Sequence, residues 1–232
     1  MIKLPIKEFI YFADTRYLPY GEKPVSFLQS RANELTQYFT RLNIDTIVIA
    51  CHTSSTTALT YLQKTFPRIT FIDMLSPTIT AALHATKTDH IGIIATERSI
   101  KSHMHAQLLR QQSSTIQITE KACPLLVPLL EHNADKQTLK KALVSYIAPL
   151  KKTTLDTLIL GCTHYAFLAD IITQELPHVH LISAASVLSH TIEKPHTAPT
   201  VTCITTGELD RFNELLQIYC TIPSYSTKKE LL

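Results

Sequence analysis

Residues 156–165 read DTLILGCTHY, and residues 45–54 read DTIVIACHTS. Both copies open on Asp-Thr, run through small or apolar residues, and meet a cysteine followed by histidine and threonine, in either order. A short apolar run bounded by polar residues suits a strand covered on both faces. The hydroxyls that follow, Thr53 and Ser54 in the first copy, suit capping of the free amides at a helix start. The element is therefore strand, cysteine, helix, written twice, with the cysteines 111 residues apart (162 minus 51). Open α/β sheets bind ligands at the carboxyl ends of their strands, where both cysteines fall. The expectation is an α/β protein of two pseudo-symmetric parallel-sheet domains with its site in the cleft between them. The first lobe is assigned to residues 1–84 with 186–232, the second to residues 85–185.

Outward from these copies the same alternation continues. Strands are predicted near residues 9–13, 46–50, 69–73, 91–95, 116–119, 157–160, 180–182 and 201–204. Helices are predicted near residues 25–42, 54–65, 77–86, 99–112, 136–148, 165–175, 184–193 and 209–219. KPHTAPT, residues 194–200, with its two prolines, reads as a surface connection. At 232 residues and 45% hydrophobic content the chain has ample material for a buried core. Its net charge of +3 is scattered, so no basic stripe points to nucleic acid or an anionic membrane as a partner, while a small anionic substrate is compatible. No apolar run approaches the ~20 residues of a membrane helix, and the start MIKLPIKEF is not a signal peptide. The five cysteines are odd in number and lack any CxxC pair, which fits reduced thiols in a cytoplasm better than a disulfide framework.

A cysteine ahead of a helix N-terminus sits among unpaired amides and the positive end of the helix dipole, which favour thiolate. A downward shift from about 8.5 makes such a thiol a base near neutral pH. Two thiols flanking one molecule suit inversion at carbon: one removes a proton from one face, and the other delivers a proton to the opposite face. Two plainer readings stand beside this one. Free cysteine is commonly core material, the reading adopted for Cys123, Cys203 and Cys220. Cys51, His52, Cys162 and His164 are also the residue types of a tetrahedral zinc site, although adjacent residues such as Cys51 and His52 rarely point at one metal.

From its first residues to about Tyr219 the chain resembles the glutamate racemases, cofactor-independent enzymes of the aspartate/glutamate racemase superfamily. YFADTRYLPYG (residues 11–21) is similar to that family's strand and substrate-contacting loop, which implicates Pro19, Tyr20 and Gly21. IVIACHTSS and ILGCTHY resemble the two catalytic motifs, implying Cys51 and Cys162 as the proton-transfer thiols with His52, Thr53 and Thr163 at the substrate. IGIIATERSIKS (residues 91–102) resembles the carboxylate-holding loop, with Thr96 and Ser99 at its hydroxyl positions. ACPLLVPLLE (residues 122–131) is similar to the segment whose glutamate, here Glu131, acts on the second thiol together with His164. TTGELDRF (residues 205–212) resembles the closing strand-to-helix turn.

The resemblance implies glutamate as substrate, no metal or organic cofactor, and D-glutamate for peptidoglycan, hence cell wall biogenesis and cell shape, in a bacterial cytoplasm. The chain also departs from the pattern. The family's opening strand with its Asp-Ser-Gly motif has no counterpart in the sequence, and the four glycines offer no substitute loop. In a sheet of order 2-1-3 that strand lies between the next two, so its loss deprives both of backbone partners, and the expectation is that the true start lies upstream of residue 1, that the surviving strands re-pair, or that a partner chain completes the sheet, a homodimer being one such completion. His52 stands in place of asparagine, Arg98 in place of a small residue, His105 in place of tyrosine and Ala166 in place of proline. Two alternatives follow: a racemase-like protein without catalysis that binds a ligand or partner, and a racemase of another acidic amino acid such as aspartate.

Overall fold

Thr157 begins a strand that neighbours cover on both edges and both faces. The computed structural model describes residues 8–191, 200–220 and 224–232, so the connection expected at residues 194–200 lies, but for Thr200, outside the described residues. In chain order the elements are β1 (Glu8–Ala13), α1 (Val25–Arg41), β2 (Thr46–Val48), α2 (His52–Thr65), β3 (Thr70–Ile72), α3 (Leu75–Ala85), β4 (His90–Ala95), α4 (Glu97–Lys101), α5 (Met104–Gln112), β5 (Gln117–Ala122), α6 (Leu126–Glu131), α7 (Lys136–Ile147), β6 (Thr157–Gly161), α8 (Ala169–Glu175), β7 (His180–Ser183), α9 (Ala184–Thr191), β8 (Thr200–Thr205), α10 (Leu209–Tyr219) and β9 (Ser226–Lys229). Every strand pairing among the described residues is parallel. The chain is thus an α/β protein of parallel sheets.

The chain divides into two compact units, Met1–Leu18 with His190–Leu232, and Pro19–Ser189. These boundaries fall elsewhere than those of the two lobes expected from the cysteine repeat. The larger unit carries a four-stranded sheet of order β5-β4-β6-β7 and a two-stranded sheet, β2-β3. Side-chain alternation sorts the four-stranded sheet's apolar residues onto two faces. Ile91, Ile93 and Ile159 join Ile79, Ala82 and Leu109 of α3 and α5 on one side. Ile94, Leu158 and Leu160 join Leu126, Leu143, Ile147 and Ile172 of α6, α7 and α8 on the other. Each fully buried Ile or Leu contributes roughly 1.5–3 kcal/mol relative to exposure, so this double layer is the main stabilising term for β4 and β6.

The smaller unit is a sheet of order β1-β8-β9 covered by α10, with Tyr11 stacked 6.2 Å from Phe212 over buried Ala13, Cys203 and Leu216. Gly207 is required at its closing turn, because a Cβ there would stand 2.3 Å from Thr15 Oγ1. β9 was not expected: STKK carries no apolar residue, yet Thr202–Thr205 pair with Ser226–Lys229, and a lysine-rich edge strand needs no buried face. The strands that flank the opening strand in the family's order belong to separate sheets, β1 on β8 and β2 on β3.

Two predicted helices are corrected. The helix expected over residues 99–112 is broken into α4 and α5 by His103, which adopts φ 53°, while Ser102 Oγ donates to the Ser99 carbonyl and accepts from the Met104 amide. The helix expected to begin at residue 165 opens instead as a 3-10 turn, Thr163–Leu168, before α8. α6 forms where no helix is predicted, and Pro128 near its start is tolerated because amides of the first turn have no helical partner. Cys123 and Cys203 are buried as expected, but Cys220 is exposed at the end of α10, so it is not core material. No helix among the described residues is long and apolar enough to cross a membrane.

The shared Asp-Thr has unequal work in the two copies. Asp45 meets Thr46 Oγ1 at an exposed site, whereas Asp156 accepts from Thr86 Oγ1 at 2.7 Å and from the amides of Lys87 and Thr88 at 2.6 and 2.9 Å, fastening the α3–β4 connection to the start of β6. Burial pushes this carboxyl up, but the hydrogen bonds from Thr86, Lys87, Thr157 and Thr88 outweigh it and hold the group at about 2. A depressed folded-state value stabilises the protein above the unfolded value of about 3.9 and is lost as pH falls toward 2. Asp156→Asn is expected to cost on the order of 1–2 kcal/mol at pH 7, discounted for partial exposure, with the gap between variant and parent closing near pH 2. Urea denaturation at pH 7, 4 and 2.5 checks this; an undiminished gap at the lowest pH would contradict it.

Candidate active site

Cys51 follows β2 and caps α2 with extended backbone (φ −128°, ψ 121°); Cys162 follows β6 and caps the 3-10 turn with φ −150° and ψ 135°. The repeat is thus one local geometry used twice within the larger unit. Ser55 fixes the first copy, its hydroxyl donating to the Ile49 carbonyl at 3.2 Å and accepting from the Met74 amide at 3.4 Å. Two residues the sequence reading did not single out fix the second. Tyr165, fully buried, donates to the Cys123 carbonyl at 2.8 Å, and Gly161 leaves no room for a side chain, since a Cβ would stand 2.8 Å from Ala95 Cβ and 3.1 Å from the Ile94 carbonyl oxygen. The signal for both was already present inside DTLILGCTHY: a glycine closing an apolar run and an aromatic directly after the polar cluster.

The environments of the two thiols differ. Cys51 is partly exposed, while Cys162 is buried. Burial pushes the Cys162 thiol up to about 12, the neighbouring Cys51 pushes it the same way, and the amides of His164 and Tyr165 only partly oppose this. The expected downward shift is therefore overturned for Cys162: a short 3-10 turn offers two amides, and they do not offset desolvation. Charge on one thiol disfavours charge on the other, so the pair holds one thiolate more easily than two.

Beside Cys162 stands a relay. His164 Nδ1 lies 3.9 Å from Cys162 Sγ, and His164 Nε2 donates to Glu131 Oε1 at 2.5 Å. Glu131 ends α6, which Leu126 and Val127 anchor in the core. Thr163 is exposed at the start of the same turn.

A second cluster is built of hydroxyls. Thr53 Oγ1 lies 3.0 Å from Thr96 Oγ1 and 3.4 Å from Ser99 Oγ, and Thr96 and Ser99 are 3.0 Å apart, all buried. Thr96 also caps α4 by accepting the Ser99 amide. Gly21 packs against this cluster, since a Cβ on it would approach Thr96 Cβ to 2.8 Å, and Pro19 and Tyr20 precede it as the cap and first residue of the 3-10 turn Tyr20–Glu22. Arg98, noted only as a departure, donates from Nε to the Lys23 carbonyl at 3.0 Å and ties the end of that loop to α4. His52 is buried, its Nδ1 3.1 Å from His105 Nε2. No group of three or more His, Cys, Asp or Glu side chains placed to hold a metal ion occurs among the described residues.

The larger unit thus carries two strand-end thiols, a carboxylate–imidazole pair beside one of them, and a buried cluster of mutually hydrogen-bonded hydroxyls. Residues 8–190 match the model of the Asp/Glu/hydantoin racemase family. The chain is 37% identical to a glutamate racemase of Desulforudis audaxviator over 185 residues, covering 79% of this chain and 67% of that one. It is 36% identical to a glutamate racemase of Sulfurihydrogenibium sp. over 189 residues, covering 80% and 72% respectively. Its fold is similar to the glutamate racemase isoform RacE1 of Bacillus anthracis (TM-score 0.87, 28% identity, 99% of this chain and 89% of that one) and to the glutamate racemase of Thermus thermophilus solved with β-chloro-D-alanine (TM-score 0.81, 28% identity, 99% and 89%).

A thiol held near 12 is almost wholly protonated at pH 8. Cys162 is therefore expected to react with iodoacetamide at least tenfold more slowly than exposed Cys220, and to gain reactivity as pH rises. Peptide mapping by mass spectrometry reads both sites at once, and equal labelling at pH 8 would refute the assignment.

Proposed function

The chain belongs to the Asp/Glu/hydantoin racemase family, and we propose that it interconverts L- and D-glutamate by two-thiol proton transfer. The observation that carries this reading is the Glu131–His164–Cys162 relay within electrostatic reach of a second thiol, Cys51. In one direction the Cys51 thiolate takes the α-proton and the Cys162 S–H gives its proton to the opposite face. Cys51 ends as thiol and Cys162 as thiolate. The reverse reaction exchanges their roles. His164, held by the Glu131 carboxylate, accepts the S–H of Cys162 when neutral and stabilises its thiolate when protonated.

The α-carboxylate is assigned to Thr53, Thr96, Ser99 and Thr163 with nearby amides, and the loop of Pro19, Tyr20 and Gly21 is assigned to the substrate's remainder. His52 contributes from behind this layer. Preorganised hydroxyl and amide donors in a site poor in water would meet the charge that builds at the α-carbon. The protein's own thiols carry both transfers, and the scheme calls for no metal or organic cofactor. The two lobes on which the cysteines repeat, residues 1–84 with 186–232 and residues 85–185, are retained as the functional division. D-Glutamate supply for peptidoglycan, and thereby cell shape, in the cytoplasm is the role we assign, with self-association into a homodimer through unpaired strand edges.

Incubation of the protein with L-glutamate in deuterated water, followed by chiral chromatography and proton NMR, tests the scheme. Racemisation and α-proton exchange are expected together. Cys51→Ala and Cys162→Ala should each abolish racemisation, and His164→Ala or Glu131→Gln should lower kcat by roughly 10²-fold, the usual contribution of a positioned acid or base. Activity that survives both cysteine substitutions ends the proposal.

A further inference from the structure

Two histidines outside the proton relay face each other between the elements that carry the thiols. His52 opens α2 directly after Cys51, and His105 lies in the first turn of α5. Their rings are stacked with centroids 5.3 Å apart and 23° between planes, and both are almost wholly buried, at 1% and 0% exposure. His52 Nδ1 and His105 Nε2 are 3.1 Å apart, while the outer nitrogens, His52 Nε2 and His105 Nδ1, have no hydrogen-bond partner. Whichever ring donates, one buried N–H and one buried lone pair remain unsatisfied. Two apolar side chains of similar size would fill this space without that cost, so packing alone does not account for the pair.

The direction of the contact suggests its use. His105 Nε2 lies 3.4 Å from where a Cβ on Gly161 would stand, so the ring is braced against the end of β6, a strand buried along its whole length. The hydrogen bond then runs outward from this fixed point to the residue that follows Cys51. Burial holds His105 down to about 4, and burial together with His105 holds His52 well below the ordinary imidazole range, so both rings are neutral near pH 7 and one can donate to the other.

We propose that His105 is a positioning residue for the proton transfer made by Cys51, acting through its hydrogen bond to His52. The inference rests on the racemase reading above. His105→Phe keeps an aromatic ring for stacking and removes the hydrogen-bonding nitrogen; His105→Gln keeps a polar group that reaches His52. In the full chain, His105→Phe is expected to lower kcat about tenfold with KM changed by less than about twofold, the size of effect that follows from losing one buried hydrogen bond. The decisive readout is the primary isotope effect with α-deuterated glutamate in each direction. In His105→Phe it should rise in the direction in which Cys51 takes the proton and not in the other, and His105→Gln should restore the parent values.

A loss of packing alone would reduce the active fraction and leave both isotope effects unchanged, which would overturn the proposal, as would an unaltered kcat in His105→Phe. If His105→Phe fails to fold, histidine-selective nitrogen-15 NMR of the parent decides instead: a neutral pair with one bonded N–H between the rings supports the proposal, and two independent imidazoles overturn it. A parent protein without racemisation counts against the racemase reading itself, since the nitrogen-15 measurement does not require turnover.

Discussion

Desolvation of one sulfur atom at the end of a fully covered parallel strand governs the rest of this site. β6 is buried from Thr157 to Gly161, and the chain that follows it turns at once into core, carrying Cys162 with it. The shift of that thiol from an ordinary value near 9.0 to about 12 corresponds to on the order of 4 kcal/mol against forming the thiolate. Two backbone amides do not recover this. A cationic imidazole at the 3.9 Å separation of His164 Nδ1 would return about 4 kcal/mol at an effective dielectric near 20. The two magnitudes are of the same order, so a charge at His164 Nδ1 is the one neighbouring influence large enough to offset the burial of Cys162.

The same comparison explains why two copies of one element behave differently. Local backbone geometry is shared, with each cysteine extended and followed by a helical turn. Surroundings are not shared. Cys51 precedes a helix of 14 residues and keeps part of its surface exposed, whereas Cys162 precedes a 3-10 turn of 6 residues and is enclosed. The two-thiol transfer proposed above needs one member charged and one protonated at any moment, and the burial of Cys162 favours its keeping the proton.

Much of this was legible in the sequence, and the limits are instructive. All eight predicted strands form because runs of three to five residues rich in Ile, Val, Leu and Thr between turn residues leave few other choices. The polar edge strand β9 gave no such signal, since its pairing depends on the free edge of β8 and not on its own side chains. The break at His103 was hidden for a similar reason: a left-handed residue stabilised by Ser102 looks, in one dimension, like two more helical positions. At the candidate site, the repeat points to Cys51 and Cys162, and the resemblance adds His164, Glu131 and the hydroxyl positions, whose hydrogen-bond partners only the fold supplies. The ionisation of Cys162 was misjudged, because dipole and amide effects are local and visible in sequence, while burial depends on residues as distant as Leu126, Leu143 and Ile172. Arg98 and His105 could be recognised only as departures until their partners, the Lys23 carbonyl and His52, were in place.

The two thiols also differ in how firmly their frames are built. Cys162 hangs from the centre of a four-stranded sheet with an apolar layer on each face. Cys51 hangs from β2, a three-residue strand in a two-stranded sheet with a small core of Ile49, Ala58 and Leu62 beneath it. An isolated pair of strands is marginal by itself, so the position of Cys51 depends on what holds the first turn of α2 from outside. Ser55 ties that turn to Ile49 and Met74, and the remaining ties come from the stronger sheet's side: Thr96 and Ser99 on Thr53, and His105 on His52. The loop of Gly21 and Lys23 is fastened to the same place, by van der Waals contact with Thr96 and by Arg98. These ties are polar and short in reach, which makes them sensitive to displacement of a few tenths of an ångström in a way that apolar packing is not. The rigid arm therefore supplies both its own thiol and the reference frame for the other.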